Sequence, residues 1–462
     1  MLPGPRSGRR RTHGSRRTRI GFASIATAVT LVLAGCSGAG SLTGGGGDAV
    51  TVAMVSNSQM QDAVALSGQF EKENPGIKLK FVTLSENEAR AKITASVATG
   101  GGEFDVVMIS NYETPMWAEN GWLVNLTPYM DADPDYDADD FIPTLKSALS
   151  YEGSMYSAPF YGESSFLMYN KRMFADAGVT LPANPTWPQV AEAAARLDTG
   201  DVSGICLRGK PGWGELLAPL NTVINAFGGR WYDENWNAQL TSPEVEAAVK
   251  FYVDTVRNHG EPGAASSGFQ ECGNLLSQGQ VAMWYDATSA VSVLESPDTS
   301  TIAGDVGYLP APRMAKSDNG WLYTWSLGIP TSSTKQDEAW KFIDWMTNRD
   351  YIEYVSDTLG ATHIPPGSRM STYELPAYQE ISAPFADATL SAMTTADQQD
   401  PTLQPVPYTG IQFLAIPEFQ DLGTRVSQQI SAAIAGQISV EQALEQSQEY
   451  AETVGKTYQK ER

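Results

Sequence analysis

The stretch 50–110 opens with V-T-V-A-M-V (50–55), passes I-K-L-K-F-V-T (77–83) and closes with F-D-V-V-M-I-S (104–110). Each run is short, rich in β-branched residues and bounded by turn-forming residues, so each reads as a strand. Between them, Asp62–Asn74 has helical spacing and stops at Pro75-Gly76. Glu86–Thr99 has helical spacing too and stops at Gly100-Gly101-Gly102. The order β-α-β-α-β predicts a parallel sheet with helices on both faces, an α/β fold. Ligand sites in such sheets lie outside the carboxyl ends of the strands. Here those ends are 56–59, 84–87 and 111–115, which makes Asn57, Glu86, Tyr112 and Glu113 candidate contacts.

Working outward, residues 1–19 hold seven arginines and no acid, and residues 20–33 are apolar or small. That apolar run is too short to span a bilayer but fits the core of a signal peptide. It ends in Leu33-Ala34-Gly35-Cys36, which resembles a bacterial lipobox. The expectation is a lipoprotein signal peptide over 1–35, with Cys36 as the acyl acceptor and first mature residue. Residues 36–48, with four consecutive glycines, read as a flexible tether. Ser15-Arg16-Arg17 adds a hint of twin-arginine export, although Arg19 sits where such signals favour an apolar residue.

The net charge of −22 includes the seven leader arginines, so the 427 mature residues (462 − 35) would carry −22 − 7 = −29. A chain this acidic does not hold nucleic acid by neutralising phosphates, and anionic lipid repels it. Membrane attachment therefore falls to the acyl chain. No cofactor is expected, and no zinc site either, because neither H-x-x-x-H nor C-x-x-C spacing occurs. Cys206 and Cys272 are the two cysteines after Cys36. In an exported chain they can pair as a disulfide or remain two buried thiols. Asp131–Asp140 holds six aspartates and reads as a solvated turn, since it lacks the glycine and terminal glutamate of a calcium loop.

Further helices are expected at 187–197, 216–226, 243–258, 335–347, 350–359, 423–435 and 440–457, and strands at 165–169, 281–285 and 322–329. Several segments together resemble the extracytoplasmic solute-binding proteins of ABC importers: F-D-V-V-M-I-S-N-Y-E (104–113), W-A-E-N-G-W-L (117–123) and Y-S-A-P-F-Y-G-E-S-S-F-L-M-Y-N-K (156–171). G-I-C-L-R-G-K-P-G-W-G-E (204–215), F-G-G-R-W-Y (227–232), M-W-Y-D-A-T (283–288), Y-T-W-S-L-G-I-P (323–330) and P-V-P-Y-T-G-I-Q-F (405–413) resemble its sorbitol/mannitol-binding branch. Cys272 stands where that branch would not be expected to carry cysteine.

The resemblance implies a two-lobed periplasmic-binding-protein fold with a hinge and a ligand cleft between the lobes. Lobe 1 would comprise 49–162 and about 311–362, and lobe 2 163–310 and about 363–462. Crossings are expected near Pro159–Ser164, Gly307–Pro312 and Gly360–Pro366. It further implies a monomer, tethered outside the cell membrane by lipid, that delivers a neutral polyol of four to six carbons to the permease subunits of an ABC importer.

An acyclic polyol is a chain of hydroxyls with weakly apolar C–H faces. Its site needs carboxylates and amides to accept, guanidinium or indole N–H to donate, and flat aromatic surface. A hydrogen bond to a charged partner contributes roughly 1.5–3 kcal/mol, so a few suffice for micromolar affinity. On these grounds Tyr161, Glu163, Arg208, Trp213, Glu215, Trp231, Asp286, Trp325, His363 and Gln412 join the candidates. The bland readings are an Arg208–Glu215 salt bridge, core packing of Trp213 and Trp231, a helix cap at Asp286 and a satisfied core histidine at His363. A mono- or disaccharide ligand is the alternative within the same class. A secreted glycosidase would use paired carboxylates, with Glu163 and Asp286 as the pair to consider. No catalytic motif accompanies them, and G-x-S-x-G is absent.

Overall fold

The structure is a computed structural model and describes residues 49–460. The leader, Cys36 and the tether up to residue 48 lie outside the described residues.

Strands Lys78–Leu84, Ala49–Val55, Val106–Ser110, Tyr323–Gly328 and Ser157–Glu163 form one five-stranded sheet in that spatial order. The first three run parallel, as the β-α-β-α-β order requires, and the last two join antiparallel. Val106–Ser110 is buried at every position because it lies mid-sheet with both faces covered. A second sheet of three strands, Met283–Ala287, Ser165–Asn170 and Val306–Pro310, is wholly antiparallel.

The chain leaves the large sheet at Glu163 and enters the small one at Ser165. It returns through 311–322, later than Gly307–Pro312, because Val306–Pro310 stays paired with Ser165–Asn170. Near the third expected crossing, the Gly162 N–H donates to the Pro366 carbonyl at 3.0 Å, which places 360–366 against the strand that exits the large sheet.

The first helix differs from its expectation. It starts at Ser58, where the Asn57 side chain caps the Met60 N–H, and it breaks at Ser67 before a second helix, Gly68–Glu73. Ser67 donates its hydroxyl back to the Val64 carbonyl, and Gly68 has weak helix propensity. The last helix, Val440–Lys460, buries Val440, Ala443, Leu444, Ser447, Ala451 and Gly455, one stripe at spacings of three and four. The aspartate-rich turn is not simply solvated. Asp137 and Asp140 hold Arg349 at 2.6 and 2.9 Å, and Asp140 also accepts from Ser371.

Cys206 and Cys272 are joined in a disulfide with Cα atoms 5.6 Å apart across 66 residues of sequence. Closing a loop of that length removes roughly 4 kcal/mol of denatured-state entropy on the chain-entropy account. No helix among the described residues is long and apolar enough to cross a membrane.

Candidate functional site

A cavity of about 460 Å³ lies at the carboxyl ends of the first two parallel strands. One wall comes from the turns after those strands, with Asn57, Glu86 and Glu88, and from Arg90 one helical turn on. The facing wall comes from 208–218 and from the helix starting at Phe269, with Arg208, Lys210, Glu215 and Glu271. Tyr161 and Glu163 from the strand that leaves the large sheet, together with Trp321, Tyr323, Trp325 and Gln412, complete the lining.

Two buried arginines organise the walls. Arg208 grips Asp286 with two hydrogen bonds of 2.7 and 2.5 Å, donates to the Gly214 carbonyl at 3.1 Å, and lies 3.5 Å from Glu215. Burial alone would lower the Arg208 pKa, but Asp286 and Glu215 more than reverse this, so it stays charged. Arg90 bonds Glu86 at 3.0 Å, Glu113 at 3.1 Å and the Tyr323 hydroxyl at 2.5 Å. Its guanidinium also lies over the rings of Trp213 and Trp325, at 4.2 and 4.6 Å. Each cation is held in place by protein acids, leaving further N–H and carboxyl positions to meet neutral hydroxyls.

The walls meet closely. Gln59 donates to the Ser292 hydroxyl at 3.0 Å and Asn87 to the Pro211 carbonyl at 3.1 Å. A Cβ on Gly214 would come within 2.6 Å of a Glu86 oxygen and 2.7 Å of Arg90 Nε, so a larger residue there would displace the side chains that line the opposite wall.

Of the expected residues, Asn57, Glu86, Tyr161, Glu163, Arg208, Glu215, Trp325 and Gln412 line this cavity. The other six are not among its lining residues. Asp286 is fully buried beneath Arg208 and also accepts from the Trp284 indole at 2.9 Å, so it positions the guanidinium instead of facing the cavity. Glu113 is bound to Arg90 and to the Ser110 hydroxyl. Tyr112 donates to the Ile416 carbonyl at 2.7 Å, with its ring packed 5.1 Å from that of Trp213. Trp213 packs beneath Arg90, and the Trp231 indole donates to Asn221 at 3.0 Å. His363 is bonded to Asp62 at 2.8 Å.

Arg90, Tyr323, Trp321 and Ser289 were missed. Arg90 stands four residues after Glu86, a spacing that usually marks an ordinary surface helix pair. Trp321 and Tyr323 precede the expected Trp325 by four and two residues in W-L-Y-T-W (321–325), a signal that was available.

Two carboxyls of the site, Glu163 and Glu86, are shifted upward by burial. Burial pushes the Glu163 pKa up to about 8, with the Ser289 hydroxyl bond at 2.5 Å pulling the other way. Glu86 is also raised, by burial above all, against the attraction of Arg90. For Glu163 the unfolded value is near 4.5 and the folded value about 8, so between them the unfolded chain binds fewer protons. Stability from this group is therefore lost as pH rises across that window, by at most about 1.4 kcal/mol per pH unit. Glu163→Gln should remove this slope and gain on wild type from pH 5 to pH 8 in urea unfolding. Parallel curves for the two proteins would show that Glu163 is not the group responsible.

Residues 54–353 match the family of bacterial extracellular solute-binding proteins. The chain belongs to that family. The family places it outside the cytoplasm as a binding protein of the ABC-transporter type, not an enzyme. The chain is 44% identical over 408 residues to the mannitol-binding protein of Pseudomonas aeruginosa, a match covering 87% of this chain and 92% of the relative. It is 46% identical to an ABC-transporter solute-binding protein of Agrobacterium vitis solved with bound D-mannitol. That structure superposes with a TM-score of 0.87, covering 89% of this chain and 99% of the other. A more distant relative is the erythritol/L-threitol-binding protein of Mycolicibacterium smegmatis, 24% identical and covering 72% of this chain and 76% of its own length.

Proposed function

We propose that this solute-binding protein captures acyclic sugar alcohols of four to six carbons in the cavity and delivers them to the permease of an ABC importer. The observation that carries this reading is the pairing of two features. Relatives above 40% identity bind or hold mannitol by name, and the cavity offers fixed, charge-balanced donors and acceptors beside aromatic faces. Asn57, Glu86, Tyr161, Glu163, Arg208, Glu215, Trp325 and Gln412 face the ligand in this reading, joined by Arg90 and Tyr323. Lobe 1 comprises 49–162 with about 311–371, later in its last boundary than the expected 362 because Arg369 and Ser371 bond Tyr136, Asp137 and Asp140, and lobe 2 comprises the remainder of the described chain. Ligand is enclosed as the lobes close.

The protein acts as a monomer, held at the outer face of the membrane by lipid on Cys36. An acyl mass on the mature N-terminus supports that anchor, and a mature N-terminus without one refutes it. The ligand is tested by thermal shift, since a compound that binds only the folded state at 1,000 times its Kd adds about 4.1 kcal/mol of stability. Mannitol, sorbitol, ribitol and erythritol are the alditols to compare with glucose and maltose. At least one alditol should raise Tm well beyond either sugar. A shift with glucose or maltose alone would replace the polyol reading with a sugar-binding one.

A further inference from the structure

Two segments build the wall that carries Arg208, the first of them bonded to the edge of the small sheet where the Cys206 N–H donates to the Met283 carbonyl at 2.9 Å. One is 204–215, with Arg208, Lys210 and Glu215; the other is the start of the helix Phe269–Ser277, with Phe269 and Glu271. The Cys206–Cys272 disulfide ties them together, two residues before Arg208 on one side and one residue after Glu271 on the other. Across this junction the Arg208 guanidinium lies 5.2 Å from the centre of the Phe269 ring. The Phe269 N–H donates to Glu215 at 3.3 Å, and the Gly209 and Lys210 N–H groups donate to the Ser267 carbonyl at 2.9 and 3.0 Å.

Both cysteines are fully buried. A carboxyl oxygen of Glu261 lies within 4.8 Å of both sulfurs, and burial pushes this acid toward its neutral form. The bridge is thus sealed away from solvent thiols, as a permanent fastening would be and an exchanging thiol pair would not.

We propose that this disulfide is a positioning element for ligand binding. It sets the spacing between the Arg208 segment and the Phe269–Glu271 turn before ligand arrives, so that less ordering remains for the ligand to impose. The proposal rests on the polyol reading of the same cavity. Cutting the bridge should lower affinity in a protein that is still fully folded, an effect separate from any loss of melting temperature.

The test is calorimetry with D-mannitol at 15 °C on wild type and on the Cys206→Ala/Cys272→Ala double variant, with folding checked by melting. Kd should rise about tenfold in the variant, equivalent to about 1.4 kcal/mol. An unchanged Kd with a lowered Tm would overturn the proposal and leave the bridge a purely stabilising link. Should the alanine pair fail to fold, Cys206→Val/Cys272→Ala fills the space with apolar atoms. Failure of both to fold would also overturn it, by making the bridge a requirement of folding. Should wild type bind glucose or maltose and not D-mannitol, the polyol reading falls by itself. The same comparison is then made with that sugar, so the two failures stay distinct.

Discussion

Asp286→Ala should cost about 3–5 kcal/mol of folding stability and remove measurable polyol binding with it. Arg208 and Asp286 share a bidentate contact beneath the cavity, and Asp286 has no exposure to solvent. Truncating the acid leaves a buried guanidinium with the Gly214 carbonyl and the more distant Glu215, at 3.1 and 3.5 Å. It also strands the Trp284 indole N–H and the Ala287 N–H, which donate to Asp286 at 2.9 and 2.7 Å. Urea unfolding of wild type and variant reads the stability loss, and calorimetry the binding. A variant of wild-type stability that binds less tightly would instead mean that Asp286 touches ligand directly.

Arg90→Ala should have the second largest effect, about 3 kcal/mol of stability together with a large loss of affinity. Its guanidinium neutralises Glu113, which is buried, and draws Glu86 and the Tyr323 hydroxyl to one point at the cavity edge. It also fills the space between the faces of Trp213 and Trp325. Removing it leaves Glu113, among the described residues, with donors from Ser110 alone and frees two aromatic rings to move. Arg90→Lys keeps the charge but lacks the planar fork, so it should recover part of the stability and little of the binding. Full recovery of affinity by lysine would contradict a role that depends on fork and stacking geometry.

Ala49–Val55 and Val106–Ser110 were legible as short, largely apolar, β-branched runs closed by turn residues, and Lys78–Leu84 as the alternation of lysine with apolar residues that an edge strand leaves. Tyr323–Gly328 was legible as a strand over 322–329, but its antiparallel pairing with Val106–Ser110 was not, since it joins residues more than 200 apart, and Ser157–Glu163 was not expected as a strand. At the site, side chains on strand-end turns or on the strand leaving the large sheet, such as Asn57, Glu86 and Glu163, were recognisable from position and type. Asp286 lies beneath Arg208 and not on the cavity lining, a placement the sequence does not reveal because a strand-end acid looks alike whether it meets a ligand or a buried arginine. Trp231 and Tyr112 show the same ambiguity for aromatics beside turns: each spends its polar atom on a protein partner, Asn221 and the Ile416 carbonyl. Arg90 was overlooked for the converse reason, since its pairing with Glu86 follows from helix spacing but its burial follows from Trp213 and Trp325.

The central claim is that the cavity takes a neutral, open-chain polyol. Its most direct test is a calorimetric titration of the purified protein with D-mannitol, repeated with maltose. One D-mannitol per chain with micromolar or tighter affinity, and no heat of binding with maltose, is the predicted result; saturable binding of maltose with none of D-mannitol or any shorter alditol would contradict it.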